Sequence, residues 1–282
     1  PGPKSTQALP EFYQGATADY VKVDGKWVDG MAQDNMLTAL QNLQDAYTAG
    51  LIDQEAITNT TSACRDEWYA GTVGCFPYWG GLWGETLTVR LKQNVPDAEV
   101  IALPPIEGAT YLYSAPSVQV ISSKLSDEQV ASVYKYFIEY MHDGGEGQVL
   151  FQSGVEGVHW QQSGNNIDPL PTISKPAEAF RKAWITPWLA LTPMTATDKN
   201  VEVSQEATDS LAVVSANAKN ISVFPVSEQR TMITSDLTTT RENIISRVAM
   251  GQLTPEEGMA EYKAQAETLN VAQALEEMDA NA

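Results

Sequence analysis

The chain has 282 residues, 43% of them hydrophobic and 9% aromatic, enough apolar surface to bury the core of one large or two modest domains. Its 17 Lys and Arg against 36 Asp and Glu leave a formal net charge of −19, the same sign as phosphate backbones and anionic lipid headgroups, which argues against a nucleic-acid partner. Two cysteines rule out a disulfide-dense scaffold and a four-Cys zinc site, and no apolar run approaches the roughly 20 residues that cross a bilayer.

The chain opens Pro1-Gly2-Pro3-Lys4 with no initiator Met, which reads as the interior of a longer polypeptide; an export signal or lipid-anchored Cys is then expected upstream. Val21-Lys22-Val23, Asp24-Gly25 and Lys26-Trp27-Val28 predict a β-hairpin, because Asp-Gly accepts the positive φ angles of a two-residue turn. From Asp34 to Ala49 the apolar residues Met36, Leu37, Leu40, Leu43 and Tyr47 recur at helical spacing, with Gly50 as the left-handed stop and Leu51 folding back. Ser62 is expected to cap a short helix that Gly71 closes, and Thr72 to Tyr78 reads as a buried strand. Cys64 and Cys75 lie in this stretch, and the sequence leaves open whether they pair or stay as thiols.

After Gly80-Gly81 a helix is predicted from Trp83 to Gln93, a strand from Glu99 to Leu103 ended by Pro104-Pro105, and an extended run from Tyr111 to Ile121. Ser126 and Gln129 form a capping box that opens a helix carrying Val130, Val133, Tyr134, Phe137, Ile138 and Met141. A second helix from Glu146 to Gln152 stops at Gly154, and Gln161 to Pro176 reads as a polar, Pro-rich loop. Helices follow near Ala177 to Trp184, Val203 to Ala216 and Asp236 to Met250. A last one, to about Leu269, is opened by the cap Thr254 with Pro255 at the first helical position. Strands alternating with helices, then a helical tail, place the chain in the α/β class.

Chemistry is sparse. There is no G-x-S-x-G elbow, and His142 and His159, the only histidines, sit beside no plausible nucleophile, so no catalytic residue is assigned. Neither H-E-x-x-H nor paired C-x-x-C occurs, so no metal ligands are assigned, and Gly80-Gly81-Leu82-Trp83-Gly84 has neither the P-loop nor the dinucleotide spacing, so no cofactor is expected. Glu85, Glu107 and Glu156 could supply a glycosidase carboxyl pair, but so acidic a chain offers such pairs by chance. The informative feature is a cluster of aromatics in loop-like contexts: Tyr78, Trp79, Trp83, Tyr111, Tyr113 and Trp160. Flat rings beside Gly suit a sugar site, where pyranose C–H faces stack on π surfaces; the competing reading makes some of them core plugs under loops.

The run Asp24-Gly25-Lys26-Trp27-Val28, the helix end Ala49-Gly50-Leu51-Ile52-Asp53, Tyr69-Ala70-Gly71-Thr72-Val73-Gly74 and Tyr78-Trp79-Gly80-Gly81-Leu82-Trp83 together resemble the family 1 extracellular solute-binding proteins. The likeness is strongest to their long lipoprotein branch in Gram-positive bacteria, often associated with aldouronate or other oligosaccharide uptake. Tyr136-Phe137-Ile138-Glu139-Tyr140-Met141, Gly154-Val155-Glu156-Gly157-Val158-His159-Trp160 and Thr254-Pro255-Glu256-Glu257-Gly258-Met259 are similar to further blocks of that family.

The resemblance implies an N-terminally truncated, two-lobed α/β clamshell of the type II periplasmic-binding kind. Residues 1–108 would lie mainly in the second lobe, 109–153 would cross into the first, and 154–282 would return and end in helices. It implies no enzyme but the extracellular, surface-anchored binding component of an ABC importer. The partners would be an oligosaccharide and a permease, and the only membrane attachment an upstream lipid anchor. Carried over by position, Tyr78, Trp79, Trp83 and Tyr113 would face the sugar, with Glu156 and Trp160 as further ligand-binding candidates. Two alternatives are a carbohydrate hydrolase fragment and a surface glycan-binding adhesin or sensor.

Overall fold

A computed structural model describes residues 10–13, 15–104, 111–113, 120–170, 195–199, 203–220 and 224–282. The chain divides into two compact units, residues 1–79, 87–114 and 212–282 forming the first and 80–86 with 115–211 the second. Trp160 and Ile167 bury their side chains against Val149, which holds residues 160–167 to the helix before them.

In the first unit the hairpin forms as its turn chemistry dictates. Tyr20–Val23 pairs antiparallel with Lys26–Asp29, and Asp24 (φ 49°) and Gly25 (φ 83°) make the two-residue reversal. The helix Asn35–Thr48 follows the predicted periodicity, burying Met36, Leu40 and Leu43. Its end is a Schellman motif in the backbone, with Leu51 N–H donating to Ala46 O, yet the Leu51 side chain is 80% exposed and does not fold back.

Glu228–Ala249, Pro255–Thr268 and Val271–Ala280 are three helices that pack with the Asn35–Thr48 helix and the hairpin around one core. Tyr262, Met31, Leu40, Ile244, Ile245 and Met278 are sealed from solvent there. Glu228–Ala249 begins two turns before the predicted Asp236, because Ser227 caps it, its hydroxyl accepting from Arg230 N–H. Thr254 and Glu257 form the predicted start of the next helix as a full capping box. Val271–Ala280 was not predicted: Asn270, left-handed at φ 56°, reverses the chain, and no side-chain cap marks the start.

A buried ion pair sits in this core. The Arg241 guanidinium donates from Nη2 to Asp29 Oδ1 at 2.8 Å and from Nε to Tyr262 Oη at 3.1 Å, and Tyr262 Oη donates to Asp29 Oδ2 at 2.6 Å. Asp19 lies 3.4 Å from Nη1, and the Tyr20 ring faces the cation at 5.1 Å. Burial works against the charge, but Tyr262, Asp29 and Asp19 outweigh it and hold Arg241 above its ordinary pKa. The network ties the hairpin to two C-terminal helices.

Three local expectations change in this unit. The helix Thr61–Ala70 is capped by Thr60, whose hydroxyl accepts from Ala63 N–H, not by Ser62; Gly71 closes it at φ 74°. Residues 72–78 and 99–103 are irregular, not strands. Tyr111–Tyr113 is extended as expected and pairs parallel with Ala218–Asn220, while 114–119 lie outside the described residues, as does the helix expected near Ala177. No disulfide joins Cys64 and Cys75.

The second unit holds the capping-box helix Asp127–Val133, which runs on as a π-helical turn Tyr134–Glu139, and the helix Glu146–Ser153. Asp143 opens that last helix, its carboxylate accepting from the N–H groups of Gly145, Gly147 and Gln148 at 2.7 to 3.0 Å. Desolvation pushes the Asp143 pKa up, and those three donors together pull it below the ordinary carboxylate value. Instead of the loop expected after Gln161, Trp160–Ser163 and Asn166–Pro169 form a second hairpin across Gly164 and Asn165, with Gly164 at φ 59°. The helices Leu82–Asn94 and Gln205–Asn217 approach closely at Gly84, where a Cβ would come 3.0 Å from Glu206 O and force the neighbouring backbone to give.

Candidate functional site

The aromatic segment ahead of Gly80-Gly81 is built on the first unit. Trp68, on the Thr61–Ala70 helix, is buried and anchored by its indole N–H donating to Leu87 O at 3.2 Å. Phe76 stacks on Trp68 with centroids 5.7 Å apart, and Tyr78 stacks on Phe76 at 5.0 Å, so the irregular 72–78 stretch is held by a ladder of rings rather than by a sheet. Tyr78 is half-buried, and burial raises its phenol pKa, so it is a neutral hydroxyl at neutral pH. Trp79, next along the chain, is 56% exposed and is the large ring this segment offers to solvent.

The other predicted residues differ in situation. Trp83 lies in the first turn of Leu82–Asn94 and is 9% exposed. Tyr113 is in the short strand paired to Asn220, and its side chain lies outside the described residues. Glu156 is exposed and forms an isolated bridge to Trp160, with Gly157 N–H donating to Trp160 O at 2.7 Å. Trp160 itself is 3% exposed, its indole N–H donating to Gly154 O at 3.0 Å. Tyr78 and Trp79 thus belong to the first unit, and Trp83, Glu156 and Trp160 to the second.

Sequence reasoning missed a polar depression on the first unit, of about 500 Å³, lined by Asp66, Tyr69, Arg90, Gln93 and Asn94. The Arg90 guanidinium lies 5.5 Å from the Tyr69 ring centre, and Asn94 Nδ2 donates to Tyr69 O at 2.8 Å. Burial raises the Tyr69 phenol pKa against the pull of Arg65 and Arg90. A ring edge, an amide pair, a cation and a carboxylate supply the donors and acceptors that sugar hydroxyls use. The sequence singles out only Tyr69, at a helix end and in one of the runs that resemble the solute-binding family. Among the described residues no cluster of three or more His, Cys, Asp or Glu side chains could hold a metal ion, and no helix is long and apolar enough to cross a membrane.

No family model matches the chain, and no curated protein matches it. Among solved structures the chain is similar to an alginate-binding protein, AlgQ2, in a crystal structure without calcium ion, at a TM-score of 0.65 and 18% identity. The match covers 99% of this chain and 62% of that one, so the chain spans under two thirds of the length of the structure it resembles. At that identity the likeness is one of fold, and it establishes that nearly all of this chain adopts the fold of a large part of a sugar-binding protein.

Proposed function

We propose that the chain is the larger part of a two-lobed, exported solute-binding protein that captures an oligosaccharide for an ABC importer and does not turn it over. The observation that carries this reading is the fold shared with an alginate-binding protein over 99% of the chain. Supporting it is the aromatic segment: Trp79 is 56% exposed, and its chain neighbour Tyr78 is held by stacking on Phe76, which limits the ordering this segment needs on binding. Trp83, Tyr113, Glu156 and Trp160 are the further ligand-binding candidates of this proposal, with Trp83 and Trp160 largely buried and Glu156 exposed. Attachment to the cell surface through an upstream lipid-modified Cys, and docking to a permease, belong to the same proposal.

Titration calorimetry against neutral and uronate-containing oligosaccharides tests it. Binding without cleavage products is expected, and Trp79→Ala weakens that binding by about tenfold, the worth of one stacked ring. Silence across the whole panel, or release of shortened glycans, overturns the reading.

A further inference from the structure

The helix Asp127–Val133 and the π-helical turn Tyr134–Glu139 that continues it have a complete capping box but not one buried residue. The side chains they leave in water are not those of a solvated face. Tyr134, Tyr136, Phe137 and Tyr140 are 54%, 69%, 47% and 39% exposed, and the apolar pattern from Val130 that predicts a buried face reaches the interior only at Met141. Each such ring carries on the order of 150 to 250 Å² of surface, so at these exposures the four leave roughly 400 Å² uncovered within seven residues, the size of the largest apolar patch on a typical monomer and of patches that mark interfaces. A helix with no buried stripe also lacks the packing that stabilises helices in proteins.

The occupant follows from length. Over a third of the alginate-binding protein has no counterpart in this chain, although 99% of this chain has one there. We infer that the face bearing Tyr134, Tyr136, Phe137 and Tyr140 is an internal interface, covered in the whole protein by further polypeptide that corresponds to that unmatched part. The inference rests on the reading of the chain as part of a longer protein. A second copy of the chain or an oligosaccharide are the rival occupants.

The test compares the 282-residue chain with the complete gene product by hydroxyl-radical footprinting and mass spectrometry. Tyr134, Tyr136 and Phe137 label readily in the short chain and drop by about fivefold or more in the long one, while Met232, 63% exposed in the first unit, labels equally in both. In parallel, Tyr134→Ser with Tyr136→Ser leaves the Tm of the short chain unchanged and lowers that of the long chain by about 5 °C. Equal labelling in both chains overturns the inference. So does protection of the short chain that appears with rising concentration or on adding oligosaccharide, and so does a gene that encodes nothing beyond these residues. If the rings are protected in the long chain but calorimetry finds no glycan, the interface stands and the ligand proposal falls.

Discussion

At the scale of single residues, the first unit concentrates its polar cost in one place. Arg241, Asp29 and Tyr262 are each bonded to the other two, and removing one partner of a buried pair costs about 3 to 5 kcal/mol because the remaining charge is stranded. Tyr20 stands beside this network with a different status: its hydroxyl is buried and has no hydrogen-bond partner among the described residues. Burial pushes its phenol up to about 12, partly opposed by Arg241 and reinforced by Asp29. The fold therefore favours the protonated form. The stability this supports is intact below about pH 10, where the unfolded chain's phenol titrates, and is lost as pH rises through the folded value. Tyr20→Phe should leave stability at pH 7 unchanged or raise it by about 1 kcal/mol, and should flatten the loss between pH 10 and 12 in urea denaturation. A variant destabilised at pH 7 would mean that the hydroxyl has a partner after all.

At the scale of elements, the reading of the Thr61–Ala70 helix start is open to a direct comparison. Thr60→Ala removes the side-chain acceptor for Ala63 N–H and should cost about 1 kcal/mol, whereas Ser62→Ala, inside the first turn, should cost next to nothing. The reverse order in chemical denaturation would restore Ser62 as the cap. Elements whose ends are written in local chemistry were legible in the sequence: Asp24-Gly25, the Ser126 and Thr254 capping boxes, Gly50, Gly71 and Gly154 all stand where they were read. Elements defined by what lies across from them were not. The apolar run 72–78 has strand composition, but its rings stack on Trp68, and a strand needs a partner that composition cannot name. The hairpin across Gly164-Asn165 was hidden by polar strands with little alternation, and Val271–Ala280 by the lack of a side-chain cap. In the candidate site, the exposure of Trp79 agrees with the loop-like context read beside Gly80-Gly81, and its role in binding remains a proposal. Trp160 sits in a similar context but turns inward, a choice set by Val149 and Ile167 and not by its neighbours in sequence.

At the scale of the molecule, each unit buries apolar side chains of its own. Among the described residues the first has a continuous core that runs from Tyr13 through Met36 and Leu40 to Met278, and the second packs Val149, Trp160 and Ile167 together. Such a chain should not unfold in one step. Scanning calorimetry should resolve two transitions, and in a thermal melt followed by fluorescence Trp160→Phe should remove signal from one of them only; a single cooperative transition would show that the units stabilise each other as one body. The first unit is also assembled from distant parts of the sequence. Asp29 meets Arg241 across 212 residues, and Trp27 N–H donates to Asp279 near the chain's last residues. During translation, then, the hairpin leaves the ribosome long before the helices that enclose it exist. Tyr20, Trp27 and Met36 wait for their partners while the residues between Asp29 and Arg241, 212 positions apart, are made, and the second unit has been made in full before the first can close. The nascent chain therefore carries this apolar hairpin unpartnered over a long stretch of synthesis, the circumstance in which a holding chaperone matters most.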